Sequence, residues 1–172
     1  MQDVLKSSIL QAIYREAQRS GQPIYCIVDD TIASHTRPSS QAVHPIEAAY
    51  FHQSHLKGCQ DYGHQVVSVM LSCNGITLNY AVILYDKSRS KIQIVQEIAE
   101  ELPAAPVISY FLCDSWYTTA KVMDRFIRKG FYTVGALKTN RILYPCGIRQ
   151  KASAFALHLR KTDPDVSLVT VG

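Results

Sequence analysis

Two runs of the chain, "PIYCIVDD" (23–30) and "PVISYFLCD" (106–114), are apolar at nearly every position and then stop at carboxylates. A strand with apolar residues on both faces belongs in the middle of a covered sheet, most often a parallel one. Parallel neighbours cannot be joined by a tight turn; they need a long crossover, usually a helix. These two runs therefore predict an α/β chain with the two strands as central, parallel neighbours whose ends lie at the same edge of the sheet.

The surrounding segments supply what such a sheet needs. In "QDVLKSSILQAIYREAQRS", Val4, Leu5, Ile9, Leu10, Ile13 and Tyr14 fall on one helical face, and Gly21-Gln22-Pro23 ends the helix. Two β-rich runs flank Asn74-Gly75, a strong hairpin signal. "SKIQIVQEIAEEL" reads as an amphipathic helix. "YTTAKVMDRFIRKG" reads as another, with Val122, Met123, Phe126 and Ile127 inward and Gly130 closing it, and "FYTVGALK" follows as a strand. Residues 31–63 read as a long, mostly loop-like excursion in which "IEAAYFHQSHL" forms a short helix and "KGCQDYG" a turn. Residues 142–172 read as the start of further β-structure, with "VSLVTV" as a last strand. The order is a leading helix (1–22), then β-β-β-α-β-α-β: a mixed sheet with helices on both faces, in one domain over 1–172.

Alternation puts Ile24, Cys26, Val28 and Asp30 on one face of the first strand, and Ile108, Tyr110, Leu112 and Asp114 on one face of the other. Carboxylates projecting from adjoining strand ends repel unless a cation stands between them. A hard divalent ion with oxygen ligands answers that need, and Mg²⁺ takes one or two protein carboxylates together with substrate phosphates. The plainer alternative is that each acid is solvated and caps the turn that follows it.

Several stretches together resemble the catalytic core of an IS4-type (including the related IS701-type) DDE transposase. They are "VDDT" (28–31), "LKGCQDYGHQVVSVML" (56–71), "LYDKS" (84–88), "LCDSWYTTAKVMDRFIRKGFYTVGALKTNR" (112–141) and "YPCGIRQ" (144–150). The resemblance implies a ribonuclease-H-like fold, with Asp30 as the first catalytic acid and Asp114 as the second. It implies two bound Mg²⁺ or Mn²⁺ ions, strand cleavage and transfer by in-line attack on a phosphodiester, and DNA as partner, with a homodimer possible in the complete protein. The location implied is cytoplasmic, beside a bacterial-type nucleoid. The family's third acid is a Glu on a helix well beyond the fifth strand, and no such helix has begun by Gly172. The expectation is thus a core truncated at its C-terminus and inactive alone.

Phosphate contacts fall to Lys138, Asn140 and Arg141 in "LKTNR", with Lys57 adding positive charge. Trp116 and Tyr117, beside Asp114, are expected to pack over the strand end. A net charge of +4 is compatible with a polyanionic partner but does not demonstrate one. Three other readings compete. One is a non-catalytic DNA-binding remnant. Another is a zinc-stabilised interaction module built on His52, His55, Cys59 and His64, whose spacing matches no standard finger. The third is a self-sufficient nuclease taking Glu97 as its extra acid. Cys26, Cys73 and Cys113 lie in apolar runs and read as small buried hydrophobes of a reducing compartment. No run approaches the roughly 20 apolar residues of a membrane span, so no membrane partner is expected.

Overall fold

The computed structural model describes residues 2–39, 46–54 and 57–159. By internal contacts the chain divides into two compact units, Met1–Gly135 and Ala136–Gly172.

In the first unit the apolar runs become β1 (Ile24–Ser34) and β5 (Ser109–Cys113). They pair in parallel from Ile24↔Ser109 to Val28↔Cys113. The hairpin joins β3 (Cys59–Cys73) to β4 (Ile76–Tyr85). Its turn residues Asn74 and Gly75 have φ of 48° and 80°, the positive values that a two-residue turn matched to strand twist demands. β3 is the hub of the sheet. It pairs antiparallel with β1 through Tyr25↔Ser72 to Ser34↔Gly63, and with β4 along its other edge. β6 (Phe131–Gly135) adds in parallel to β5. With α1 (Gln2–Ser20), α2 (Lys91–Glu101) and α3 (Ala120–Arg128), this gives the mixed, ribonuclease-H-like sheet expected.

One phase of every main strand enters a single core. Ile24, Cys26 and Val28 lie with Val67, Val69, Leu71 and Phe111, beneath Ile13 of α1, Ile98 of α2 and Phe126 of α3. Phe111 and Phe126 stack with ring centroids 3.7 Å apart. Cys26 and Cys73 are buried there, and burial pushes the Cys26 thiol up to about 12, so it stays a neutral hydrophobe. The opposite phase carries a row of rings, Tyr25 to Tyr110 and Tyr110 to Tyr132, each pair 5.6 Å apart. Helices on both faces were expected; in this unit the buried side chains of α1, α2 and α3 all join the one core.

Other expectations need correcting. β1 does not end at its acids but runs four residues further, because β3 continues to pair with it after β5 has stopped. The segment expected as a short helix is instead a strand, β2 (Tyr50–Ser54), which pairs with Cys59–Gly63 of β3. His52 and Ser54 point inward from it while Phe51 and Gln53 stay exposed, the two-residue alternation of a strand rather than the period of a helix. "KGCQDYG" is accordingly only part turn, since Cys59 already belongs to β3. Val4 and Leu5 are exposed, and the buried stripe of α1 is Ile9, Ile13 and Ala17. Ile127 is also exposed, leaving Val122 and Phe126 as the buried anchors of α3. The strand after α3 stops at Gly135 rather than running to Lys138.

The second unit holds a small hairpin of β7 (Ile142–Leu143) and β8 (Gln150–Lys151), a 3-10 turn at Pro145–Gly147 between them, and a short α4 (Ala152–Ala156). The expected "VSLVTV" strand lies outside the described residues.

Candidate active site

The last parallel pair, Val28↔Cys113, marks where the site begins. Past it β5 has ended, and β1 goes on with β3 alone, Asp30 opposite Val67. Asp30 shares the inward phase of Cys26 and Val28, so its carboxylate enters the rim of the core, with only 16% of the side chain exposed. A carboxylate so placed must be paired and hydrogen-bonded. Three donors meet it: the Tyr117 hydroxyl at 2.9 Å on Oδ1, and the Lys91 Nζ at 2.7 Å and Gln65 Nε2 at 2.5 Å on Oδ2.

Asp114 is the first residue after β5, and it is exposed. Its Oδ1 accepts the backbone N–H of Trp116 at 2.9 Å and of Tyr117 at 3.4 Å, and its carbonyl accepts the Thr118 hydroxyl at 3.0 Å. This is the self-capped turn that Asp favours. α3 then starts from Thr119, whose hydroxyl caps the N–H of Val122. Alternation alone would not have joined the two acids. Continuing the register past Val28↔Cys113 sets Asp114 level with Asp29, on the opposite phase to Asp30. The strand stops first, and the turn carries Tyr117 back across the strand end. Tyr117 is fully buried, with its N–H on Asp114 and its hydroxyl on Asp30. Burial, and then the charges of Asp30, Asp114 and Asp29, raise its hydroxyl pKa far above the usual tyrosine range. The hydroxyl is therefore a permanent donor. Asp29 is exposed, and its Oδ1 accepts the N–H of Asp30 at 2.8 Å.

Lys91 is the first residue of α2, in a start fixed by a capping box between Ser90 and Gln93. Its ammonium lies 5.6 Å from the ring centroids of both Tyr85 and Trp116. Packing over the strand end, expected for both aromatic residues, holds for Tyr117; Trp116 is half exposed beside the lysine.

Gln65, Lys91 and the hydroxyl role of Tyr117 were missed from sequence. Gln65 had a signal, being a polar residue on the phase of Val67, Val69 and Leu71. Lys91 had only a faint one: a cation in a helix's first turn, the end of the dipole that favours anions.

The other candidates are placed elsewhere. Glu97 is exposed and ion-paired with Arg89, Glu100 faces Arg125 and Arg128, and Glu101 meets Lys6. Lys57 is held by Asp61 at 2.7 Å and the Ser34 hydroxyl at 2.8 Å. Lys138, Asn140 and Arg141 belong to the second unit, in the turn leading into β7. Of the His/Cys set, His55 lies outside the described residues, Cys59 is exposed and His52 is buried. His64 donates Nε2–H to the Glu47 carbonyl at 2.8 Å and so accepts on Nδ1 from His35 at 2.7 Å. Among the described residues no three His, Cys, Asp or Glu side chains are grouped to hold a metal.

The donor chemistry at Asp30 and Asp114 fits a hard divalent cation. Asp30 offers carboxylate oxygens just past the point where β1 loses β5, Asp114 offers them just after the end of β5, and the carboxylate at Asp30 already draws one positive charge to itself. The two backbone amides that hold the Asp114 carboxylate both fall on Oδ1, which leaves Oδ2 to serve as a ligand.

A family model described as "Transposase DDE domain" matches residues 20–163. No curated protein and no solved structure matches the chain.

Proposed function

We propose a function from the premise that this chain belongs to the transposase DDE-domain family: it is the catalytic core of an IS4-type DNA transposase, with Asp30 and Asp114 as its metal-binding acids. The observation that carries the reading is the Tyr117 bridge, which ties a mostly buried carboxylate on β1 to an exposed one just after the end of β5.

In this reading Asp30 and Asp114 hold Mg²⁺ or Mn²⁺, which when bound activates the attacking oxygen and neutralises charge on the phosphodiester. The chain's own residues prepare the acids. Tyr117 and Gln65 fix the two oxygens of Asp30. The turn at Asp114 holds its carboxylate by two backbone amides, a rigid mounting for a ligand. Lys138, Asn140 and Arg141 contact phosphates and position DNA without reading its sequence. Lys57, already paired, contributes less than its charge suggests. The partners are DNA and a second copy of the chain, and the work is done at the nucleoid.

The test is calorimetric titration of Mn²⁺ into the purified chain, beside Asp30→Ala and Asp114→Ala. Binding that both substitutions abolish is expected. Binding indifferent to either acid, in folded protein, refutes the assignment.

A further inference from the structure

Lys91 is the one residue of the network whose place is difficult to explain by folding. It is a cation in the first turn of α2, where the backbone dipole disfavours positive charge. It brings its ammonium into a half-buried position, 15% exposed, where desolvation opposes it further. An uncharged donor at this position would satisfy Oδ2 of Asp30 as Gln65 does. The surroundings also give the ammonium a second seat. The rings of Tyr85 and Trp116 both lie 5.6 Å from Nζ, near enough for cation–π attraction. Both contacts exist while Nζ is on Asp30, so the ammonium is attracted to the rings independently of the carboxylate.

Resting on the metal-binding role of Asp30 above, we propose that Lys91 is a displaceable counter-ion. It neutralises Asp30 when no divalent ion is present and yields the carboxylate to one by withdrawing onto the two rings. Lys91 thereby sets the metal concentration at which the site fills. It acts through Asp30 and is a positioning residue, not a catalytic one.

Two readouts test this, neither of which needs activity. In the first, Mn²⁺ alone is titrated calorimetrically into the full chain, into Lys91→Met and into Lys91→Arg. Removing the competing charge is expected to tighten binding about tenfold, a modest share of what paired unit charges are worth in a half-buried site. Lys91→Arg, which keeps the charge, stays within threefold of wild type. The gain disappears when Asp30→Ala is added. The second readout uses the wild type, in which Trp116 is the only tryptophan. Mg²⁺ is expected to change its fluorescence at the calorimetric midpoint as the ammonium moves relative to the indole. Asp30→Ala removes that change.

If wild type binds metal through Asp30, but Lys91→Met binds equally or more weakly, the inference fails and the proposed function stands. The inference fails in the same way if Trp116 stays silent while metal binds. If neither wild type nor Lys91→Met binds, both fall. Should Lys91→Met not fold, Lys91→Gln removes the same charge and the fluorescence test remains.

Discussion

Replacing Tyr117 by Phe removes one oxygen from a fully buried side chain and leaves the ring to pack as before. What is lost is the 2.9 Å bond to Oδ1 of Asp30, a hydrogen bond to an ionised acceptor. Bonds of that kind are worth about 1.5–3 kcal/mol. Lys91 and Gln65 both reach Oδ2 and neither reaches Oδ1, so they cannot take over the vacated lone pair. Asp30 is mostly buried, which leaves water little access to replace the bond. We therefore expect a loss of about 2 kcal/mol, or a fall in Tm of roughly 4–8 °C for a chain of this size. Thermal unfolding followed by circular dichroism measures it. A double-mutant cycle with Asp30→Asn separates the bond from general effects of the hydroxyl, with a coupling energy of about 1 kcal/mol or more expected. A Tm within a degree of wild type, or a coupling near zero, would refute the idea that the hydroxyl holds the carboxylate. Tyr117→Ala is a poor substitute, because the cavity alone costs about 3–5 kcal/mol.

Two further outcomes follow from the geometry around β2 and β3. A Cβ at Gly63 would stand 2.1 Å from the Ala33 carbonyl oxygen, a backbone atom that cannot move aside without opening the β1–β3 ladder. Gly63→Ala should cost about 1–3 kcal/mol, as overpacking does, seen as a lower urea midpoint with an unchanged slope; equal stability would show that the ladder yields. His52 is buried, its Nε2 has no hydrogen-bond partner among the described residues, and desolvation above all lowers its pKa. The unfolded chain therefore takes up a proton that the folded chain refuses. Stability is whole above about pH 6.5 and falls as pH drops below it, by at most about 1.4 kcal/mol per unit; urea midpoints between pH 7.5 and 5 should show the slope, and His52→Phe should flatten it.

What could be read from the sequence was whatever local chemistry dictates. The two apolar runs had to be central, and their parallel pairing followed. Asn74-Gly75 had to be a turn because both positions take positive φ. Asp30 stood out because an acid on the phase of Cys26 and Val28 demands partners. The partners themselves were not legible. Which donors reach Oδ2 depends on how α2 lies across the sheet, and periodicity fixes a helix's face but not its placement. Val4 and Leu5 failed for the same reason: they continue the apolar stripe of α1, yet both stay exposed. β2 was misread because its five residues suit either period, and its pairing with Cys59–Gly63 decides the matter. The link between Asp30 and Asp114 needed the break at Cys113, which strict alternation cannot show.

The donors of Asp30 come from progressively later in the chain, Gln65 at a separation of 35 residues, Lys91 at 61 and Tyr117 at 87. During synthesis the β1–β3–β4 meander can form from nearby partners, whereas the parallel closure onto β5 must wait, since distant contacts form slowly. At the meander stage the carboxylate stays in water with a single neutral amide for company. Its counter-charge arrives with α2, and its tie to the second acid only with the turn after β5. The candidate site is thus completed only once β5 has closed onto β1, and an ordered Tyr117 hydroxyl would report that this long-range pairing has been made.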